Sequence, residues 1–323
     1  MNRFGITLGD PCGIGPEITL KALRAHPEYL DRCVVFGSAE LLCHYGRLLG
    51  CGFPIRTVER PFDCGDGCLN VVDPNPVSLE EIPVGRVSPV GGRCAFLAVR
   101  AAIDAALKKE ISLIVTAPLN KEALHLAGYP YAGHTEIFGE FAHGDSYAML
   151  LWSEKLKVIH VSTHVSLRKA CDACRKERET EVIRLADRTL KKAGYEKPRI
   201  AVAGLNPHAG ENGIFGDEEI VEIAPAVELC RADGVDVVGP LPPDTVFLRA
   251  LNCEYDVVVA QYHDQGHIPL KLLDFDGGVN ITVGLDVLRT SVDHGTAFDI
   301  AGKLVAREDS MLKAIEIGEK LHH

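Results

Sequence analysis

Short apolar, β-branched runs alternate with amphipathic helical stretches along almost the whole chain. The run Cys33–Phe36 precedes a helical pattern over Ala39–Leu49, and a long helical pattern over residues 92–109 precedes an apolar run at residues 111–116. A strand, a helix and a second strand in that order form a parallel pair, because the helix crosses over the sheet. The alternation therefore predicts an α/β fold with a largely parallel sheet.

The length predicts two lobes. The chain has 323 residues, whereas single hydrophobic cores stop growing at about 250–300 residues. The first strand, at residues 3–8, and the last helix, near residues 308–321, both need a covering layer, so we expect the termini to share one lobe. This expectation assigns residues 1–130 and 285–323 to the first lobe and residues 131–284 to the second.

The composition disfavours several classes of function. The net charge is −11 and no Lys- or Arg-rich face is evident, which argues against nucleic acid but not against a small anionic substrate. No leader pattern precedes the first strand, and no apolar run reaches the ~18 residues of a membrane span. The eleven cysteines are scattered through apolar stretches, which predicts a cytoplasmic protein with reduced thiols. Cys171 and Cys174 form a CxxC without a second pair, so a zinc or redox role is disfavoured.

Three histidines follow apolar strand runs at similar distances. They are His164 after residues 156–161, His208 after Ile200–Ala203, and His263 after Val257–Ala260. Ligands of open α/β sheets lie beyond the carboxyl ends of the strands, so three imidazoles there could bind one divalent metal with positions left open for substrate. A single histidine beside a strand is more often structural, and His160, inside its apolar run, is interpreted in that way. The repeat raises the metal hypothesis to equal weight with the structural one.

Two Gly-containing turns keep alternative interpretations. Residues 9–17 join a strand to a helix, but Ile18 stands where a dinucleotide fingerprint needs its third glycine, so a tight structural turn is favoured. Residues 133–136, Gly-His-Thr-Glu, could hold an anion with backbone N–H groups, His134 and Thr135. A capping turn at the start of a helix explains that cluster equally well.

Further polar residues stand beside these turns. Asp244 and Asp264 are the carboxylates best placed to orient a ligand or to transfer a proton, although each could be a turn residue. Lys271, Asn280 and Arg289 are spaced nine residues apart and suit a phosphate or a carboxylate. A solvated surface position is the alternative for Lys271.

Nine motifs together resemble one known family. From residue 9 to residue 303 the chain carries, in order, GDPCGIGPEI, TAPLNKEAL, GHTE, STHVSL, LNPHAGENG, GPLPPDT, YHDQGHIPLK, GVNIT and RTSVDHGTAFDIAGK. This set resembles the 4-hydroxythreonine-4-phosphate dehydrogenase (PdxA) family over essentially the whole chain. GIGPE and HGTAFDIAGK are also similar to pieces of isocitrate and isopropylmalate dehydrogenases. The resemblance implies a two-lobed fold of that type, with the active site in the cleft between the lobes.

The resemblance also implies roles for individual residues. It assigns His164, His208 and His263 to a divalent metal (Zn, Mg, Co or Mn), with ligands from both subunits of a homodimer. It assigns the substrate to His134, Thr135, Lys271, Asn280 and Arg289, the cations lying near its phosphate. By analogy with the isocitrate-type enzymes, NAD or NADP would bind near His294, Gly295 and Thr296.

The implied reaction is an oxidative decarboxylation. The C3 hydroxyl of a 4-phosphorylated four-carbon acid loses hydride to the nicotinamide, the β-keto acid loses CO2, and an acid (Asp244, Asp264 or Lys121) protonates the product. Residues 156–167 and 263–273, and His267 in particular, are more similar to the D-threonate or D-erythronate 4-phosphate branch, which serves sugar-acid catabolism. The alternative substrate is 4-hydroxythreonine 4-phosphate of pyridoxine biosynthesis. A phosphate acyltransferase would not need three histidines, and a non-catalytic metal-binding protein would not need the substrate cations.

Overall fold

A computed structural model describes most of the chain as helices and strands joined by short turns. It describes residues 3–62, 67–144, 146–274 and 277–322. The strands are β1 (Phe4–Thr7), β2 (Cys33–Phe36), β3 (Ile55–Thr57), β4 (Leu69–Val72), β5 (Leu113–Thr116), β6 (Ala148–Trp152), β7 (Lys157–His160), β8 (Ile200–Ala203), β9 (Val237–Leu241), β10 (Val257–Ala260), β11 (Val279–Val283) and β12 (Leu288–Val292). The helices are α1 (Gly15–Ala25), α2 (Ala39–Leu49), α3 (Pro89–Leu107), α4 (Lys121–Leu126), α5 (His134–Phe141), α6 (Leu167–Ala173), α7 (Lys176–Lys192), α8 (Ala224–Ala232), α9 (Val246–Leu251), α10 (His263–Leu273) and α11 (Asp309–His322).

The chain divides into two compact units. One contains residues 1–144 and 285–322, and the other contains residues 145–284. The first boundary lies at residue 144 instead of 130 because α5 buries Ile137 and Phe138 in the core of the first unit.

The first unit is built on parallel strands in the order β3-β4-β2-β1-β5-β12. The strand β1 is central, with Phe4 opposite Cys33 of β2 on one side and opposite Leu113 of β5 on the other. All four residues of β1 are buried, as expected for a parallel strand covered on both faces. The loops after β1, β5 and β12 therefore leave the sheet at the same edge.

The second unit has the strand order β11-β6-β7-β10-β8-β9. The pairs β11–β6 and β6–β7 are antiparallel, while β7–β10, β10–β8 and β8–β9 are parallel. The carboxyl ends of β7, β10 and β8 consequently lie side by side. The prediction of an α/β fold with a largely parallel sheet is confirmed.

Local sequence explains how α3 begins and packs in the first unit. The Ser88 hydroxyl accepts the N–H of Gly91 at 3.0 Å, and Pro89 occupies the first helical turn. A Cβ on Gly92 would lie 2.0 Å from the carbonyl oxygen of Ala123. Only glycine at this position allows the close approach of α3 to α4, the helix that begins at Lys121.

The helices and the cysteines bear on two expectations drawn from the composition. None of the helices described in the structure is both long enough and apolar enough to cross a bilayer. Nine of the described cysteines are free, but Cys68 takes part in a disulfide. The prediction of reduced thiols throughout is therefore wrong at Cys68.

Candidate active site

Two of the three predicted metal ligands come together in the second unit. His164 follows β7, and His263 is the first residue of α10. Their ring centroids lie 5.7 Å apart. They share the wall of a cavity of about 310 Å³, together with Thr163, Leu167, Tyr262 and Asp264. The pairing of β7 with β10 brings the two rings together.

A carboxylate fixes the orientation of His263. Its Nδ1 lies 2.7 Å from Oδ1 of Asp264. Since a carboxylate only accepts hydrogen bonds, Nδ1 carries the proton and Nε2 presents its lone pair. A carboxylate–histidine pair of this kind is the usual support for a metal-binding imidazole. The donor chemistry of His263 thus fits a divalent metal.

Two further imidazoles extend from His263 into the unit. His267, one helical turn along α10, stacks on His263 with ring centroids 3.5 Å apart and planes at 11°. Its Nδ1 donates to the carbonyl oxygen of His263 at 3.0 Å. Burial, with His263 second, lowers the pKa of His267 to about 4, and burial lowers that of His160 to about 3. Both rings are neutral at physiological pH, and His160 is buried inside β7 as the sequence predicts.

The third predicted ligand, His208, lies in a strained turn. His208, Ala209, Glu211 and Asn212 all have left-handed backbone with φ between 44° and 55°, a conformation that is unfavourable for residues with a Cβ. The ring is exposed, and its Nδ1 lies 3.8 Å from Oδ2 of Asp244. Asp244 therefore stands beside His208 as Asp264 stands beside His263.

Glu219 stabilises this turn through hydrogen bonds to Asn206. It is buried, and its carboxylate accepts the backbone N–H of Asn206 at 2.7 Å and the Asn206 side-chain N–H at 3.0 Å. A Cβ on Gly210 would lie 2.7 Å from Oε2 of the same carboxylate. The tight contact holds the left-handed turn against the end of β8.

His208 does not join the other two ligands within one chain. Among the residues that the structure describes, no group of three or more His, Cys, Asp or Glu side chains is arranged to hold a metal ion. One chain thus supplies two imidazoles at the cavity.

In the first unit, Arg289 and His134 form a cluster with one buried cation, the Arg289 guanidinium. The Arg289 guanidinium donates to Oγ1 of Thr116 at 3.1 and 3.3 Å and lies over the Phe138 ring. Burial lowers the pKa of Arg289 to about 9, and Glu136 opposes this shift. The guanidinium is still charged at neutral pH, and a buried cation of this kind is stabilised by an anionic ligand.

His134 contributes a neutral imidazole to this cluster. Burial, followed by the charge of Arg289, lowers its pKa well below the ordinary value, and its buried Nε2 has no hydrogen-bond partner among the described residues. The turn at His134 also lies close to Lys121, whose Cε would be 3.9 Å from a Cβ on Gly133. Thr135 is the second residue of α5. The anion hypothesis for residues 133–136 thus gains a neighbouring cation, Arg289.

Lys271 and Asn280 belong to the second unit, whereas Arg289 and His134 belong to the first. Lys271 lies two turns along α10 from His263, on the same face as His267. Asn280 is inside β11, opposite Leu151, and its buried Oδ1 has no hydrogen-bond partner in the described structure. Nothing in the second unit assigns a ligand to either residue, so their substrate-binding roles stay predictions.

The predicted cofactor residues pack on the turn at residues 9–17. Ile14 donates its N–H to the carbonyl oxygen of Thr296 at 3.0 Å, and a Cβ on Gly13 would lie 2.7 Å from that oxygen. His294 is exposed, with Nδ1 3.0 Å from the carbonyl oxygen of Gly295. Within the turn, Asp10 is buried and its pKa is raised to about 6 by burial. The turn interpretation is supported by these contacts, and it gives the predicted cofactor loop a rigid base.

Sequence reasoning missed three buried polar residues behind the histidine loops. They are Glu179, Glu219 and Gln261. Gln261 follows the apolar run of β10 directly and precedes the Tyr-His-Asp cluster, so its position beside a candidate ligand was the available signal. The two glutamates lie in helical patterns in which a buried face cannot be told from a solvated one without the neighbouring strands.

The comparisons with known proteins agree with the predicted resemblance. A family model described as "Pyridoxal phosphate biosynthetic protein PdxA" matches residues 29–318. The chain belongs to the PdxA family. The D-threonate 4-phosphate dehydrogenase of Salmonella typhimurium is 51% identical over 322 residues, covering 98% of each chain. The 4-hydroxythreonine-4-phosphate dehydrogenase of Beijerinckia indica is 47% identical, covering 98% of this chain and 94% of that protein.

A solved structure extends the likeness to the whole fold of this PdxA protein. The crystal structure of 4-hydroxythreonine-4-phosphate dehydrogenase from Klebsiella pneumoniae matches with a TM-score of 0.87 and 48% identity, covering 100% of both chains. The predictions of the family and of a dehydrogenase are confirmed by these matches. The roles of individual site residues stay predictions.

Proposed function

We propose that this protein is an NAD(P)- and divalent-metal-dependent dehydrogenase of D-threonate 4-phosphate or D-erythronate 4-phosphate. It oxidises the C3 hydroxyl, and loss of CO2 from the resulting β-keto acid gives dihydroxyacetone phosphate. The observation that carries the proposal is the pair of imidazoles, His164 and His263, on one cavity of a PdxA-family chain. The 51% identity to the Salmonella typhimurium D-threonate 4-phosphate dehydrogenase supports the substrate.

His164 and His263 of one chain, with His208 of a second copy, would hold the metal. When bound, a divalent ion there supplies Lewis-acid polarisation of the substrate hydroxyl and of the carbonyl formed from it. Asp264 keeps the His263 lone pair directed outward through its 2.7 Å hydrogen bond. Asp244 is placed to do the same for His208, at 3.8 Å.

The position of His208 supports a homodimer as part of the proposal. The turn that carries it continues into exposed apolar side chains: Ile214, Phe215, Ile220 and Val221 are all more than half exposed. Exposed apolar side chains close together are typical of a protein–protein contact. Pairing this surface with that of a second copy would cover it and deliver His208 to the neighbouring cavity.

Lys121 is the proposed proton donor to the product carbon. Of the three sequence candidates, Asp264 is bonded to His263 and Asp244 lies beside His208, so these two carboxylates serve as orienting groups. Lys121, at the start of α4, lies beside the turn of His134. The resemblance to the PdxA family assigns His134, Thr135, Lys271, Asn280 and Arg289 to the substrate, with the cationic residues near its phosphate.

A second candidate function is oxidation of 4-hydroxythreonine 4-phosphate, favoured by the 47% identical relative from Beijerinckia indica. The test is reduction of NAD and of NADP by the metal-loaded protein, with D-threonate 4-phosphate and 4-hydroxythreonine 4-phosphate assayed side by side. We expect a higher kcat/KM for the sugar acid. A preference for the amino acid would overturn the proposed substrate, and no turnover of either would overturn the proposed function.

A further inference from the structure

Gln261 occupies the point where the three histidine loops leave the sheet. It follows β10 directly, lies two residues before His263, and is completely buried. Its side-chain Nε2 donates to the carbonyl oxygen of Ala203 at 2.9 Å, and this residue ends β8, whose following loop carries His208. The same Nε2 lies 3.4 Å from Oε2 of Glu179.

The backbone of Gln261 makes two more side-chain contacts. Its carbonyl oxygen accepts the hydroxyl of Ser162 at 2.8 Å, and Ser162 lies two residues before His164. Its N–H donates to Oε1 of Gln265 at 2.7 Å, and Nε2 of Gln265 donates to the carbonyl oxygen of Gly204 at 2.8 Å. Gln261 and Gln265 are the only two glutamines in the chain.

These contacts begin where the strand ladders end. The pairing of β10 with β7 ends at Ala260 opposite His160, and the pairing of β10 with β8 ends at Val259 opposite Val202. Beyond those residues two backbone hydrogen bonds continue between the described strands, from Val161 to the carbonyl oxygen of Ala260 and from Gly204 to that of Leu241 in β9, both at 2.8 Å. Side-chain hydrogen bonds satisfy further backbone groups of the loops there and add to these two bonds.

We propose that Gln261 is a positioning residue for the metal sites, since its amide and backbone tie together the loops of His164 and His263, which share one site, and the loop of His208, which would serve the site of the second copy. The inference rests on the proposed function, in which these histidines bind the metal. The donor side of an amide suits the position because its N–H group has two acceptors, one on β8 and one on α7, whereas the buried Oε1 has no partner among the described residues. Apolar residues of the same length would leave the Ala203 carbonyl buried without its partner.

Glu179 completes the support from the other side. It is buried on α7, accepts the thiol of Cys174 at 3.5 Å as well as the Gln261 amide, and burial raises its pKa to about 7. Cys174 directly follows α6, and α6 follows the His164 loop. The network thus reaches the His164 loop by two routes, through Ser162 and through Glu179.

The test is the affinity of the full-length, metal-stripped protein for Mn²⁺ alone, measured by titration calorimetry. Gln261→Met keeps the length of the side chain and removes both donated hydrogen bonds. We expect it to weaken Mn²⁺ binding by about 10- to 100-fold, the usual effect of losing a group that orients metal ligands. The matched control is Val257→Ala, which truncates a buried side chain at the amino end of the same strand.

The comparison separates positioning from general stability. We expect Val257→Ala to lower the melting temperature while leaving Mn²⁺ affinity within about twofold. A substitution at the far end of the strand usually acts independently of the histidine loops. An unchanged affinity in Gln261→Met at a lowered melting temperature would overturn the inference. If Gln261→Met does not fold, Ser162→Ala removes one link of the same network, and several-fold weaker binding is expected; unchanged binding would overturn the inference. Failure of the wild-type protein to bind Mn²⁺ would instead refute the proposed function.

Discussion

The strained turn at His208 makes Glu219→Gln the most informative single substitution. Four residues with side chains hold left-handed backbone there, which costs about 1–2 kcal/mol for each residue. Glu219 offsets this cost with two hydrogen bonds to Asn206, at 2.7 and 3.0 Å, and a bond to a charged group contributes about 1.5–3 kcal/mol. In Glu219→Gln the amide oxygen still accepts the backbone N–H, but the amide nitrogen faces the Asn206 N–H as a second donor. We expect the free energy of unfolding to fall by about 1.5–3 kcal/mol, the value of the lost bond.

The assay is urea unfolding followed by circular dichroism, with Mn²⁺ affinity measured on the folded variant. Glu218→Gln is the matched control, because Glu218 is partly exposed and accepts only the Asn206 side chain, at 2.7 Å, which a glutamine oxygen can also accept. We expect the control to stay within about 0.5 kcal/mol of the wild type. Equal stability and equal metal affinity in the two variants would refute the claim that Glu219 holds the turn.

Three other predictions use separate features of the two units. Burial raises the pKa of Asp10 to about 6, so protonated Asp10 stabilises the fold. This stabilisation is complete below about pH 4 and is lost as the pH rises through 6. The free energy of unfolding of Asp10→Asn, relative to the wild type, should therefore rise by about 3 kcal/mol between pH 4 and 7, and parallel unfolding profiles would contradict this. Lys121→Met should lower kcat by about 100-fold or more with unchanged Mn²⁺ affinity, whereas Asp264→Asn should weaken Mn²⁺ binding; the reverse pattern would exclude the assigned roles. Arg289→Met should raise KM for the phosphorylated acid by about 10- to 100-fold, the equivalent of one lost hydrogen bond to a charge, and an unchanged KM would place the phosphate elsewhere.

The sequence predicted most of the strand and helix positions, because apolar runs and amphipathic periods report burial directly. The helix α2 and the strand β2 have the predicted bounds. The strand β12 was not predicted, because its buried residues include Arg289, Thr290 and Ser291 and so carry no apolar signal. The strand β12 pairs with β5, and its buried Arg289 guanidinium donates to Thr116 of that strand.

Part of the candidate site could also be predicted from the sequence. The approach of His164 to His263 follows from parallel strands whose carboxyl ends share an edge. The full left-handed turn at His208 could not be predicted, because His208, Ala209 and Glu211 adopt left-handed backbone without the glycine signal that Gly210 and Gly213 carry. Gln261 and Glu219 act through contacts between loops that are distant in sequence, and a single sequence does not reveal such pairs.

The central claim is that one metal site is built by two chains, and a mixed dimer tests it most directly. His164→Ala and His208→Ala chains carrying different tags are co-expressed, and dimers that contain both are purified. In a two-fold dimer the intact His208 of one chain meets the intact His164 and His263 of the other, so one of two sites is restored. We predict about half of the wild-type activity and Mn²⁺ capacity in the mixed dimer, with neither variant active alone. A mixed dimer without activity or bound Mn²⁺ would contradict the account, because it would show that each chain supplies all of its own ligands.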